Sequence, residues 1–161
     1  MTGKHHFIYT GLITFIFFLL FSATPVFGTN LEELSNNADV ILFGRVVKVE
    51  CRWAKSSMNI LSRAQFRVKI CVKGKYAAGD HVEIETYGGV IRGMKQKIPN
   101  CAAFRPGEYA LVFLKGGQGD VFYVTNGKEG KISFARKKGM KSVAERKKLN
   151  RIIRNIQLAL K

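Results

Sequence analysis

A small all-β domain, either a barrel or a sandwich, followed by one amphipathic helix is the fold class this sequence predicts. Three observations carry the prediction. Between Asp39 and Phe134, short runs rich in β-branched residues are separated by glycine-marked turns. Little sequence with helical period lies between those runs, which argues against an α/β layering. From Ser142 onward the pattern changes to an apolar stripe at helical spacing.

The elements follow in order. Leu31-Glu32-Glu33-Leu34 reads as a short helix ending near Asn36-Asn37. Asp39 to Trp53 holds Val40, Ile41, Val46, Val47 and Val49 and reads as a long strand. Gly44 within it marks a bulge or a tight bend. Lys55 to Asn59 is the expected turn. Ala64 to Lys73 alternates cleanly, with Phe66, Val68, Ile70 and Val72 on one face and Arg67, Lys69, Cys71 and Lys73 on the other. His81 to Tyr87 alternates again, Val82 and Ile84 inward, Glu83 and Glu85 outward on an exposed face. After the Gly88-Gly89 turn, Val90 to Ile98 reads as a Lys-rich strand that Pro99 ends. Phe104 to Glu108 is a tight turn with Pro106 at a position suited to its fixed φ. Tyr109 to Leu114 is a continuous apolar run, expected as a central strand. Gly116, Gly117 and Gly119 lead into a strand over Val121 to Thr125, Asn126-Gly127 turns the chain, and Lys131 to Phe134 closes the series.

Beyond that point Ser142-Val143-Ala144-Glu145 is a capping-box pattern. Leu149, Ile152, Ile153, Ile156 and Leu160 form one stripe, and Arg146, Lys147, Lys148, Arg151 and Arg154 occupy the opposite face. The stripe is expected to pack on the domain's own core, and the basic face is the candidate surface for an anionic partner.

The chain's address is read from its start. Met1 to Gly28 has one basic residue, Lys4, then an apolar run from Phe7 to Phe21 and a more polar stretch with small Val26 and Gly28. That is the layout of a secretory signal, with the expected cut between Gly28 and Thr29. The apolar run falls short of the ~20 residues that span a bilayer. Retention as an uncleaved anchor is the alternative. After cleavage no transmembrane helix is expected, and the protein is placed in the periplasm or outside the cell. The organisation is then signal peptide 1–28, β domain 29–135 and basic helical segment 136–161.

Charge narrows the partners. The 161 residues hold 27 Lys+Arg against 11 Asp+Glu, a net charge of +16, and 47% hydrophobic residues exclude a wholly disordered chain. Such a balance suits an acidic partner: an unidentified protein, an anionic envelope polymer or a lipid surface. Export disfavours nucleic acid. A monomer is expected.

The chemistry the residues permit is limited. Cys51, Cys71 and Cys101 are three, so at most one pair forms in an oxidising compartment. Cys51 with Cys101, a strand end with a loop, is the expected disulfide, and three unpaired thiols are the alternative. A catalytic thiol needs a basic neighbour, and only His81 survives signal removal, with nothing in the sequence placing it beside a cysteine. Cys and His do not occur at zinc-site spacing, and no phosphate-cradling glycine loop precedes a Lys-Ser/Thr helix. No metal, cofactor or enzymatic activity is expected. Trp53 and Tyr87 are candidate stacking residues for a ligand, with packing at strand ends as the alternative.

The order of these features resembles a family of secreted bacterial domains shaped like the tissue inhibitors of metalloproteinases and netrin modules. The matching pieces are Leu31 to Leu34, Ala38-Asp39, Gly44-Arg45-Val46-Val47 through Trp53, Val72-Lys73-Gly74, Gly88-Gly89 with Gly93, Phe104 to Leu114, and Gly130-Lys131 with Phe134. The resemblance implies an OB-like β-barrel of five or six strands, closed or partly open. It implies no single activity. The eukaryotic inhibitors act through an N-terminal cysteine, whereas the expected mature terminus here is Thr29-Asn30, so that mechanism does not transfer. The function expected is a non-enzymatic binding or accessory module, with membrane-surface binding through the cationic helix and a protease-inhibitor or prodomain-like role as alternatives, the last resting on fold analogy.

Overall fold

The computed structural model describes residues 31–55, 57–116, 121–134 and 143–161. The expected signal segment and its expected cut, Gly117 and Gly119, and the expected Ser142 cap lie outside these residues.

Helix α1, Leu31–Asn37, leads into β1, Val40–Trp53. Then come β2 (Ile60–Lys73), β3 (His81–Tyr87), β4 (Gly89–Ile91), β5 (Met94–Gln96), β6 (Tyr109–Gly116), β7 (Val121–Val124) and β8 (Lys131–Phe134). A 3-10 turn, Gly127–Gly130, joins the last two strands, and helix α2 runs from Val143 to Ala159. The main sheet has the order β1-β2-β3-β7-β6-β8, and β1 also pairs with β6. That extra pairing closes β1, β2, β3, β7 and β6 into a five-stranded barrel. All ring pairings are antiparallel except β3 with β7. The expected small barrel with a terminal helix is therefore the fold. β8 continues along the edge of β6 below β7.

Alternation divides the apolar residues between two cores. Leu42, Val46, Phe66, Ile84, Val112 and their neighbours fill the barrel. Ile41, Phe43, Leu111 and Phe113 point the other way, and with Phe134 they form an apolar strip on the barrel's outer wall. Leu34 of α1 and Leu149 and Ile156 of α2 are buried in that second cluster, with Ile152 and Ile153 packed against it. The helical stripe thus docks on its own domain; Leu160, past the helix end, stays 37% exposed. Lys73 finishes α1 by donating to the carbonyls of Ser35 (3.0 Å) and Ala38 (2.6 Å), groups the helix end leaves without internal partners.

Gly44 is needed for a close approach. Any Cβ there would be driven into the carbonyl oxygen of Arg67 and lie 2.7 Å from the Phe66 ring. The register slips at this point: Gly44 faces Val68, but Phe43 faces Ile70, so Lys69 is an extra residue on β2. That bulge corrects the predicted alternation. Because side-chain period is two, the inserted residue flips the face of those that follow, until a second shift between the Leu42–Cys71 and Ile41–Lys73 pairs restores the original phase at Lys73. Ile70 and Val72 therefore leave the face of Phe66 and Val68, and Cys71 packs against the barrel core in their place.

Three further expectations are corrected. β2 begins at Ile60, before Ala64. Val90 to Ile98 is not one strand: β4 and β5 form a separate hairpin, turned by Arg92 and Gly93, both at positive φ as a two-residue hairpin demands. Glu85 is outward but not exposed, because Arg52 (2.7 Å) and Arg63 (3.3 Å) cover it.

Candidate anion-binding site

The outer wall of the barrel has two charge regimes. Towards the β1–β2 hairpin tip, acids and bases alternate and pair. Lys48 meets Glu50 at 2.5 Å, Arg63 meets Glu83 at 3.1 Å, and Glu85 is shared by Arg52 and Arg63. Tyr123 Oη adds a hydrogen bond to Glu85 at 3.4 Å. The Lys48 ammonium, hydrogen-bonded to Glu50, holds that carboxyl below its usual range.

Closer to the helices the pattern breaks. The registers of four adjacent strands place Tyr109 (β6), Arg45 (β1), Arg67 (β2) and His81 (β3) in one transverse row. Residues directly opposite across strands share a face, here the outer one. Two arginines thus sit side by side, an arrangement of like charges that costs stability. The bulged Lys69 joins them, its Nζ 5.0 Å from the centroid of the Tyr109 ring, while the Arg45 guanidinium lies 6.0 Å from the same ring. Both distances suit attraction between a cation and a ring face. Phe43 stacks on the other neighbourhood of that ring, centroids 6.2 Å apart.

Arg45, Arg67, Lys69 and Tyr109 line an open concavity of about 700 Å³, with Val47, Val68, Ala78 and Gly79 completing its wall. Val47 is itself a bulge, since Val46 faces Phe66 and Lys48 faces Gln65. A bulge after Val46 and another after Val68 sharpen the local twist on both sides of the arginine row. Among the described residues, neither Arg45, Arg67 nor Lys69 takes part in an ion pair. Asp80, in the loop beside the concavity, accepts from Ala77 N–H at 2.8 Å instead. Two guanidinium forks and an ammonium offer donors only, which fits a carboxylate, sulfate or phosphate.

The residues singled out from sequence are distributed differently. Arg146, Lys147, Lys148, Arg151 and Arg154 are exposed on α2, and Lys148 Nζ lies 6.0 Å from the Phe134 ring. Arg146 lines a second cleft, of about 340 Å³, together with Phe43, Lys69, Ile70, Leu149 and Asn150. Trp53 and Tyr87 are both about half exposed at one end of the barrel. Tyr87 shares a row with Leu61 and Arg52, whereas Trp53 is next along β1, so the two project to opposite faces and form no joint platform. All three cysteines are free thiols; Cys51 Sγ lies 3.2 Å from Ser62 Oγ rather than in a bridge to Cys101. Cys101 and Tyr87 line a third cavity of about 480 Å³ under the β4–β5 hairpin. Its two buried hydroxyls, Ser62 and Thr86, already donate to the carbonyls of Gly88 and Ala102. Among the described residues, no three His, Cys, Asp or Glu side chains gather as a metal site, and no helix is long and apolar enough to cross a membrane.

The arginine row is what sequence reasoning missed. One signal was present: residues 51–79 carry seven basic residues and no acid. Compared with known families and curated proteins, the chain matches no family model and no curated relative.

Proposed function

We propose that the protein is a secreted or periplasmic, non-enzymatic binding module that holds an anionic partner of the cell envelope in the Arg45–Arg67–Lys69–Tyr109 concavity. The single observation that carries this reading is the convergence of Arg45, Arg67 and Lys69, none of them in an ion pair among the described residues, on one concavity beside Tyr109, whereas Lys48, Arg52 and Arg63 on the same wall pair with acids. Such a cluster is destabilising on its own account, and local conflicts of this kind concentrate at functional sites. The signal-like start supports export, and the sequence offers no nucleophile beside a base, which supports a role without catalysis.

Co-sedimentation with phosphatidylglycerol and phosphatidylcholine vesicles tests it. Binding is expected to the anionic vesicles only, to weaken as salt rises, and to fall about tenfold or more in Arg45→Ala/Arg67→Ala. Equal binding by that variant overturns the concavity as the seat.

A second reading places the contact on the cationic face of α2. It is favoured by the exposure of Lys147, Arg151 and Arg154 while the apolar stripe is docked. Replacing those three by Gln tests it without uncovering the core, and a loss larger than that of the Arg45/Arg67 variant would select it.

A further inference from the structure

The anion concavity and the second cleft are one continuous surface, because Lys69 lines both. The two differ in chemistry. The first is walled by Arg45, Arg67, Lys69 and Tyr109. The second, between the barrel wall and α2, is walled mainly by the apolar groups of Phe43, Ile70 and Leu149, with Arg146 and Asn150 of α2 completing it beside Lys69. Ile70 is the telling residue. The bulge at Lys69 turns it onto the helix-facing wall opposite Phe43, in the strip the helices otherwise cover. Yet it remains 39% exposed, although Leu149 and Asn150 of α2 line the same cleft. An ammonium thus stands where a cationic basin meets an apolar trough.

Resting on the anion-binding reading above, we infer that the ligand is an anionic amphiphile, an acidic lipid or a fragment of one. Its charged headgroup lies against Arg45, Arg67 and Lys69, and its alkyl chain runs past Lys69 into the cleft of Phe43, Ile70 and Leu149. A hydrophilic polyanion would satisfy the basin and leave the trough empty. A neutral amphiphile would fill the trough and leave three cations without a partner. Only a molecule with both parts matches the surface as built. Each methylene withdrawn from water raises affinity roughly fourfold, so two seated methylenes exceed tenfold.

The test is calorimetric titration of the protein with methyl phosphate, dodecyl phosphate and dodecyl maltoside, each below its micelle-forming concentration, and with polyphosphate. Dodecyl phosphate is expected to bind at least about tenfold more tightly than methyl phosphate, with dodecyl maltoside weaker still. Ile70→Ser is expected to remove most of the chain-length gain and leave methyl phosphate binding within about twofold, and Ile70→Leu to restore the gain. Circular dichroism establishes that both variants are folded. Equal affinity for methyl and dodecyl phosphate, or polyphosphate binding tighter than dodecyl phosphate, overturns the amphiphile and leaves the anion site standing. Dodecyl maltoside binding as tightly as dodecyl phosphate overturns the coupling of head and chain. No binding of any phosphate overturns the proposed function as well.

Discussion

Arg45 and Arg67 face each other across β1 and β2 although nothing in the barrel requires two cations there. A neutral β-branched residue at either position fits the pleated surface better and ends the repulsion. Arg67→Thr is therefore expected to stabilise the folded protein by about 0.5 kcal/mol at low salt while weakening anion binding. Urea unfolding and phosphate titration on the same variant check both halves. Stabilisation without loss of binding would show the row to be incidental. Glu108 and Lys131 make the opposite case. Their side chains are 11% and 7% exposed, they meet at 2.8 Å, and each has other partners. Glu108 accepts from Ser133 Oγ and from Arg105 N–H, and Lys131 donates to Ala103 O and lies over the Phe104 ring. Removing one member strands the other's charge in the wall. Lys131→Met is expected to cost about 3–5 kcal/mol, measured by the shift of the urea midpoint.

Helix α2 holds to the barrel by few deep anchors, Leu149 and Ile156 above all. Ile156 is fully buried, so Ile156→Ala is expected to cost about 2–5 kcal/mol. If the helix is an integral part of the fold, the loss appears in the cooperative unfolding of the whole protein. A helix that came loose alone would show as early proteolysis after Arg146 to Arg154 with the barrel transition unchanged. The elements also show what sequence can carry. β3 and α2 were legible from their period, and β1, β6 and β8 from runs of β-branched or apolar residues bounded by turn residues. The bulges at Val47 and Lys69 were not, because nothing local distinguishes an extra residue from an ordinary member of an alternating run; only pairing with the partner strand creates it. The resemblance implied a hairpin at Gly88-Gly89 with Gly93, but the strand reading of Val90 to Ile98 missed it because the two strands are three residues each and the Arg92-Gly93 turn departs from the commoner Asn-Gly type. The candidate site failed for the first reason. Arg45, Arg67 and Tyr109 meet through long-range register, and Lys69 reaches them only by virtue of a bulge.

At the scale of the molecule, a net charge of +16 on 161 residues means self-repulsion in the compact state. Any salt relieves it by screening, so stability is expected to rise with ionic strength whatever the anion. A specific anion site adds a separate term, because a ligand that binds only the folded protein stabilises it by mass action. At a concentration about a hundred times its dissociation constant, that term is roughly 2.7 kcal/mol. For a domain of this size it corresponds to a rise in Tm of roughly 10 °C. Phosphate also stabilises proteins by exclusion from their surface, which a comparison with chloride at equal ionic strength does not remove. Arg45→Ala/Arg67→Ala does remove the site while leaving exclusion almost untouched. The expected result is a wild-type Tm that climbs further in alkyl phosphate than in chloride, and a double variant whose two curves run together apart from the exclusion effect. Parallel curves for both proteins would mean that the cations of the barrel wall act only through their sum, and that Arg45 and Arg67 form no site.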